Sequence, residues 1–160
     1  MKKTLLIILM CIASLVAKAD EYVWNYRTTD DGIYVASILS GIEFINGDYD
    51  KQGTALAMFV CKREGKNRVE IELFGDYTTH DLNSKRDYIV VQFQGDVNEK
   101  RWKVNPMKRG DSEYSRLNII DADLFIKKLK TAEWFSITLP VFSQGATTFN
   151  FNCNYYPLEW

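Results

Sequence analysis

The chain reads as a mainly β protein: a single sandwich-like antiparallel domain with one short α-helix and one disulfide, following a cleaved leader. Three observations predict this. Apolar side chains recur with a period of two through most of the sequence, one segment alone switches to three- and four-residue spacing, and two cysteines remain once the leader is removed.

The leader comes first. Lys2 and Lys3 precede an apolar run from Leu5 to Val16, and Ala17-Lys18-Ala19 offers small residues at the two positions that fit the shallow pockets of signal peptidase. Cleavage is expected after Ala19, giving a signal peptide over residues 1–19 and a β-rich periplasmic domain over 20–160. About twelve apolar residues are too few to cross a hydrocarbon core of about 30 Å, and no second apolar run follows, so no stable membrane insertion is expected. Met10 before Cys11 is the wrong residue for lipoprotein processing. Of the 20 basic residues, Lys2, Lys3 and Lys18 leave with the leader, so 17 face 21 acidic ones and the net charge is about −4. That balance gives no electrostatic reason to expect nucleic acid as a partner.

The strands follow in order. Tyr22, Trp24 and Tyr26 alternate with Val23, Asn25 and Arg27, and the turn tetrad Thr29-Asp30-Asp31-Gly32 leads into a second strand, Ile33 to Ser40. Asn46-Gly47-Asp48 punctuates a loop. Thr54 to Cys61 is almost continuously apolar and predicts a central strand buried on both faces. After a polar turn around Gly65, Val69, Ile71 and Leu73 alternate with Arg68, Glu70 and Glu72, which predicts apolar side chains inward and charges outward. Tyr88 to Phe93 is the next strand, and Trp102 with Val104 marks a short one ending at Pro106.

Asp121 then caps a predicted helix in which Ala122, Phe125, Ile126, Leu129 and Ala132 form one apolar face. Lys127, Lys128 and Lys130 complement the dipole at its C-terminal half. Phe135, Ile137 and Leu139 form a strand stopped by Pro140, and Phe149, Phe151, Cys153 and Tyr155 alternate with asparagines in the last one.

In an oxidising compartment Cys61 and Cys153 are the only pair available, and each falls in phase with apolar neighbours, so a disulfide between them within one core is predicted. Closing a loop of about 92 residues, it would stabilise the fold by at most about 4–5 kcal/mol.

Little in the sequence carries catalytic chemistry. His80 is the only histidine, which removes most routes to zinc and to histidine-assisted nucleophiles. It sits between Thr79 and Asp81 in a polar stretch. No phosphate loop, dinucleotide fingerprint or nucleophile elbow is present, and no cofactor or metal is expected. Carboxylate pairs such as Asp30 with Asp31 or Glu70 with Glu72 offer the chemistry of a glycosidase in principle, but the first sits in a turn and the second on the outward face of a strand. Asn46 to Asp50 lacks the late bidentate glutamate of a calcium loop. Between Lys100 and Arg109, five cations surround Trp102, which makes Trp102, Lys103, Lys108 and Arg109 the candidate partner surface, although strand alternation points Trp102 inward.

The order of features resembles that of small periplasmic proteins of the VasI type, associated with type VI secretion and with prophage-like settings. The residues that carry the resemblance are Trp24 followed by Asp30-Asp31, Leu56 to Cys61, Val69 to Phe74 and Tyr88 to Phe93. Trp102, Phe125-Ile126-Lys127-Lys128-Leu129, and Phe149-Asn150-Phe151 before Cys153 complete it. The resemblance implies a noncatalytic accessory or interaction role and supplies no catalytic motif. The sequence reading is therefore a noncatalytic periplasmic protein that binds another envelope protein, in an accessory, inhibitory or immunity-type role. Its rivals are a small outer-membrane barrel, suggested by the aromatic ending at Trp160, and a carboxylate-based hydrolase.

Overall fold

The computed structural model describes residues 24–41, 54–75, 88–109, 112–141, 145–153 and 158–160. The leader, His80 and the Asn46–Asp50 stretch lie outside the described residues, as do the side chains of Lys108 and Arg109. Nine strands are described: β1 (Asn25–Thr28), β2 (Tyr34–Leu39), β3 (Thr54–Arg63), β4 (Lys66–Gly75) and β5 (Tyr88–Phe93), then β6 (Lys100–Arg109), β7 (Ser112–Ile119), β8 (Trp134–Val141) and β9 (Gly145–Asn152). One helix, α1 (Ala122–Leu129), lies between β7 and β8.

The mainly β class and the single helix agree with the sequence reading; the layering does not. The strands form one antiparallel sheet in the order β1-β2-β3-β4-β7-β6-β5-β8-β9, curled into a half-barrel instead of split into two packed sheets. The curl brings the end of β2 to β9, where the Gly41 amide donates to the Asn150 carbonyl at 3.1 Å. A curled sheet buries its concave face against itself and needs only a plug, and the helix provides one.

Alternation decides which side chains enter the hollow. Val69 and Ile71 of β4, Ile89 and Val91 of β5, Leu117 and Ile119 of β7, and Phe149 and Phe151 of β9 share the main core. Helix α1 turns Ala122, Phe125, Ile126 and Leu129 into the same core. Phe125 meets Phe93 and Trp102 edge-on, with ring centroids at 5.1 and 4.9 Å, a favoured aromatic geometry. Asp121 precedes the helix as expected but makes no side-chain capping bond; its carbonyl accepts from Phe125 N–H at 3.0 Å. Away from the core face of the helix, Lys128 Nζ donates to Asp96 Oδ1 at 2.5 Å and fixes α1 to the β5–β6 turn.

Two prolines that were expected to end strands lie within them. Pro106 pairs with Leu117 of β7, but the rungs of β6 to β5 stop at Lys103. Pro140 pairs with Ala146 of β9, beyond the last rung of β8 to β5 at Thr138. Each proline thus sits where its strand has one described neighbour, so its missing N–H interrupts no described rung on the other side. Strand β7 was not predicted at all, although Leu117 and Ile119 alternate with Arg116 and Asn118 across its buried end.

The expected disulfide is absent: Cys61 and Cys153 are free thiols. Cys153 enters the main core in phase with Phe149 and Phe151, as predicted. Cys61 does not. On β3, Leu56, Met58 and Val60 take the concave face, which leaves Cys61 with Ala57, Phe59 and Val35 in a second apolar cluster on the convex side. Because both faces of β3 are apolar, phase with Phe59 could not reveal which face Cys61 shares with the rest of the chain. The two side chains enter opposite faces of the sheet, Cys61 on its third strand and Cys153 just past its ninth.

Phe125→Ala, which empties the contact between the helix and the aromatic floor, is expected to lower the unfolding free energy by about 3–5 kcal/mol in urea titration.

Candidate functional site

The β3–β4 hairpin closes in two residues, Glu64 at φ 50° and Gly65 at φ 78°, both left-handed. That is the backbone a tight hairpin loop requires, and its turn holds the flanking register: Arg63 opposite Lys66, Lys62 opposite Asn67, Cys61 opposite Arg68. Side chains consequently sort by face. Arg63, Lys66, Cys61 and Arg68 belong to the convex side, and Lys62 and Asn67 to the concave rim.

On the concave rim three aromatics meet. Tyr26 and Tyr34 stack with centroids 6.3 Å apart, and Trp160 leans on Tyr34 at 5.0 Å. Polar contacts hold them in place: the Glu159 amide donates to the Tyr26 hydroxyl at 2.9 Å, the Trp160 indole donates to Asn67 Oδ1 at 3.4 Å, and Asn67 Nδ2 donates to Asp123 Oδ1 at 2.7 Å. Tyr26 and Tyr34 remain 38% and 37% exposed, so rigidly seated aromatic surface is presented to solvent.

On the convex side the hairpin opens onto a pocket of about 390 Å³. Arg63, Lys66 and Arg68 supply cations, Asn67 and Asn118 amides, and Ile33, Ile119, Ile120 and Ala122 an apolar wall, with Cys61 and Glu64 completing the lining. Its size falls within the range of small-ligand and side-chain clefts.

Next to the pocket is a buried ionic cluster that the alternation rule misplaced. Glu70 and Glu72 were expected to be solvated, yet they are only 4% and 1% exposed. They do face away from the main core, but the convex face is itself covered at this point. Arg116 of β7 lies between them: its Nη2 is 2.5 Å from Glu72 Oε2, its Nε 3.2 Å from the same oxygen, and its Nη1 3.1 Å from Glu70 Oε2. Arg68 Nε is 2.7 Å from the other Glu70 oxygen. Burial works against the Arg116 charge, and the two carboxylates, Glu72 foremost, outweigh it, so the guanidinium is held above its ordinary pKa. The guanidinium fills the space between the carboxylates, where a hydrolase would need substrate and water. Asp30 and Asp31 are exposed in the turn the sequence assigned them, closed by Gly32 N–H to the Thr29 carbonyl at 2.9 Å.

Of the predicted partner surface, Trp102 is buried in the aromatic core beneath the helix, as the alternation of β6 required. Lys103 is exposed on the opposite face of the strand. Lys108 and Arg109 end β6, where only the backbone is described. Among neighbouring cations, Arg101 lies over the Tyr88 ring at 4.6 Å and Lys100 approaches Asp96 at 4.0 Å. Sequence reasoning missed the hairpin end because its parts, Tyr26, Tyr34, Arg63, Lys66 and Trp160, are distant in sequence. The one local signal was a turn flanked by Arg63 and Lys66. Comparison with family models, with curated proteins and with solved structures finds no match.

Both thiols are pushed up. Burial raises Cys61, with Glu70 adding to it and Arg68 opposing. Burial raises Cys153 from 9.0 to about 11, against a lesser pull from the Trp24 indole. The folded state therefore binds the Cys153 proton more tightly than the unfolded chain, and the stability this gives is complete below about pH 9 and lost as pH rises towards about 11. A brief iodoacetamide pulse on the folded protein at about pH 8, read by peptide mass spectrometry, should label Cys61 faster than Cys153 by roughly tenfold or more, with equal labelling in denaturant.

Proposed function

We propose that the protein is a noncatalytic accessory or interaction protein of the bacterial cell envelope. In this reading residues 1–19 direct export and are removed, and residues 20–160 work in the periplasm, binding another envelope protein in an accessory, inhibitory or immunity-type role. The resemblance to small periplasmic proteins of the VasI type points the same way. The binding surface in this reading is the end of the sheet at the β3–β4 hairpin, since Trp102 is buried.

The observation that carries this reading is the pair Tyr26 and Tyr34, exposed on β1 and β2 and braced by the half-buried Trp160, at the end of the sheet where Arg63 and Lys66 occupy the other face. Tyrosine, tryptophan and arginine dominate binding energy at protein interfaces, and rigid seating lowers the entropy lost on association. Two further features favour it over its rivals. The Glu70 and Glu72 carboxylates are engaged by arginines, and the apolar side chains of the strands fill the concave interior around a helix, the reverse of a barrel that turns its apolar band to lipid. The two free thiols are compatible with an oxidising compartment because they lie on opposite faces and one is fully buried.

The reading is tested by placing a photo-crosslinking residue at Tyr34, and separately at Ala146 on the opposite end of the sheet, and irradiating intact cells. A discrete adduct with one envelope protein from position 34 and none from position 146 is expected; no adduct at 34, or the same products from both positions, refutes it.

A further inference from the structure

The pocket on the convex side of the β3–β4 hairpin has a chemistry of its own. Arg63 and Lys66 are paired across the hairpin, and like charges directly opposite one another on a sheet are destabilising. Among the described residues neither makes an ion pair, and both line the pocket. An anion seated between them turns that repulsion into two charge-assisted contacts. The turn carboxylate Glu64, Cys61 and Arg68, the last bound to Glu70, also line the pocket beside an aliphatic wall in which Ile120 is 47% exposed.

Resting on the envelope-protein reading above, we infer that this pocket receives an acidic peptide segment of the partner. The segment places a glutamate or aspartate carboxylate between Arg63 and Lys66 and lays an aliphatic neighbour on Ile33 and Ile120. One ligand class supplies both complements at peptide spacing: carboxylate and aliphatic side chain. The aromatic rim holds the partner at the same end of the sheet, and the pocket selects its charge.

The probes are acetyl-Leu-Glu-Leu-amide and its acetyl-Leu-Gln-Leu-amide counterpart, titrated into the protein while backbone amide resonances are followed by NMR. The glutamate peptide is expected to shift Arg63, Lys66, Asn118 and Ile120, and the glutamine peptide to bind at least about fivefold more weakly. The Arg63→Gln/Lys66→Gln variant should lose the response and Arg63→Lys should keep it. Exposed hairpin side chains are replaced, and an unchanged melting curve verifies that the variants fold. Equal binding of the two peptides, shifts elsewhere on the surface, or no shifts up to the solubility limit overturns the inference. Its failure is distinguishable from that of the parent reading: a Tyr34 crosslink that survives Arg63→Gln/Lys66→Gln retains the envelope partner and removes the acidic segment.

Discussion

The structure depends on the seam between β4 and β7. Strands β1 to β4 form one sequential meander, and here the sheet order first jumps, joining β4 to a strand more distant in sequence; the second jump joins β5 to β8. The described rungs of this seam number four, from Val69 opposite Ile119 to Glu72 opposite Arg116. On its concave face Val69, Ile71, Leu117 and Ile119 belong to the main core. On its convex face Arg116 binds Glu70 and Glu72 at once. Two buried carboxylates without a cation would be strongly unfavourable, so the guanidinium fixes which strand lies beside β4 and in which register. A shift by one residue would carry the arginine to the apolar side.

The candidate site inherits its geometry from that seam. Asn118 stands opposite Glu70, and the pocket wall continues from it through Ile120 to Ala122 at the start of the helix. The other wall is the β3–β4 hairpin. A pocket between these two walls exists only while β7 stays paired to β4. The concave rim depends on the same end of the sheet, since Asn67 of β4 holds both the Trp160 indole and Asp123 of the helix. Apolar core and buried ion cluster are therefore two faces of one pair of strands, and the exposed surface lies at the end of the sheet next to them.

Much of this was legible in the sequence, for definite reasons. Period-two alternation located most strands because one face of each meets a dry core, and period 3.6 located the helix because Phe125 and Leu129 must reach the same core. Burial of both faces of β3 was legible in its unbroken apolar run, and the inward direction of Trp102 in its phase with Val104. The failures share a cause. Alternation tells which residues share a face but not what covers it, so Glu70 and Glu72 were assigned to solvent and Cys61 to the main core. Proline was taken as a stop, whereas strand ends with a single described neighbour tolerate it at positions 106 and 140. The aromatic rim assembles residues from both ends of the chain, and no local pattern signals such a meeting.

The most direct test of the seam is a double-mutant cycle of Glu72→Gln and Arg116→Gln, with unfolding free energies from urea titration. A coupling of about 1–3 kcal/mol is predicted, because each single change leaves a buried charge without its partner and the double change removes both. Effects that add to within about 0.5 kcal/mol would show that the two side chains do not hold β4 and β7 together, and the account of the fold would lose its foundation.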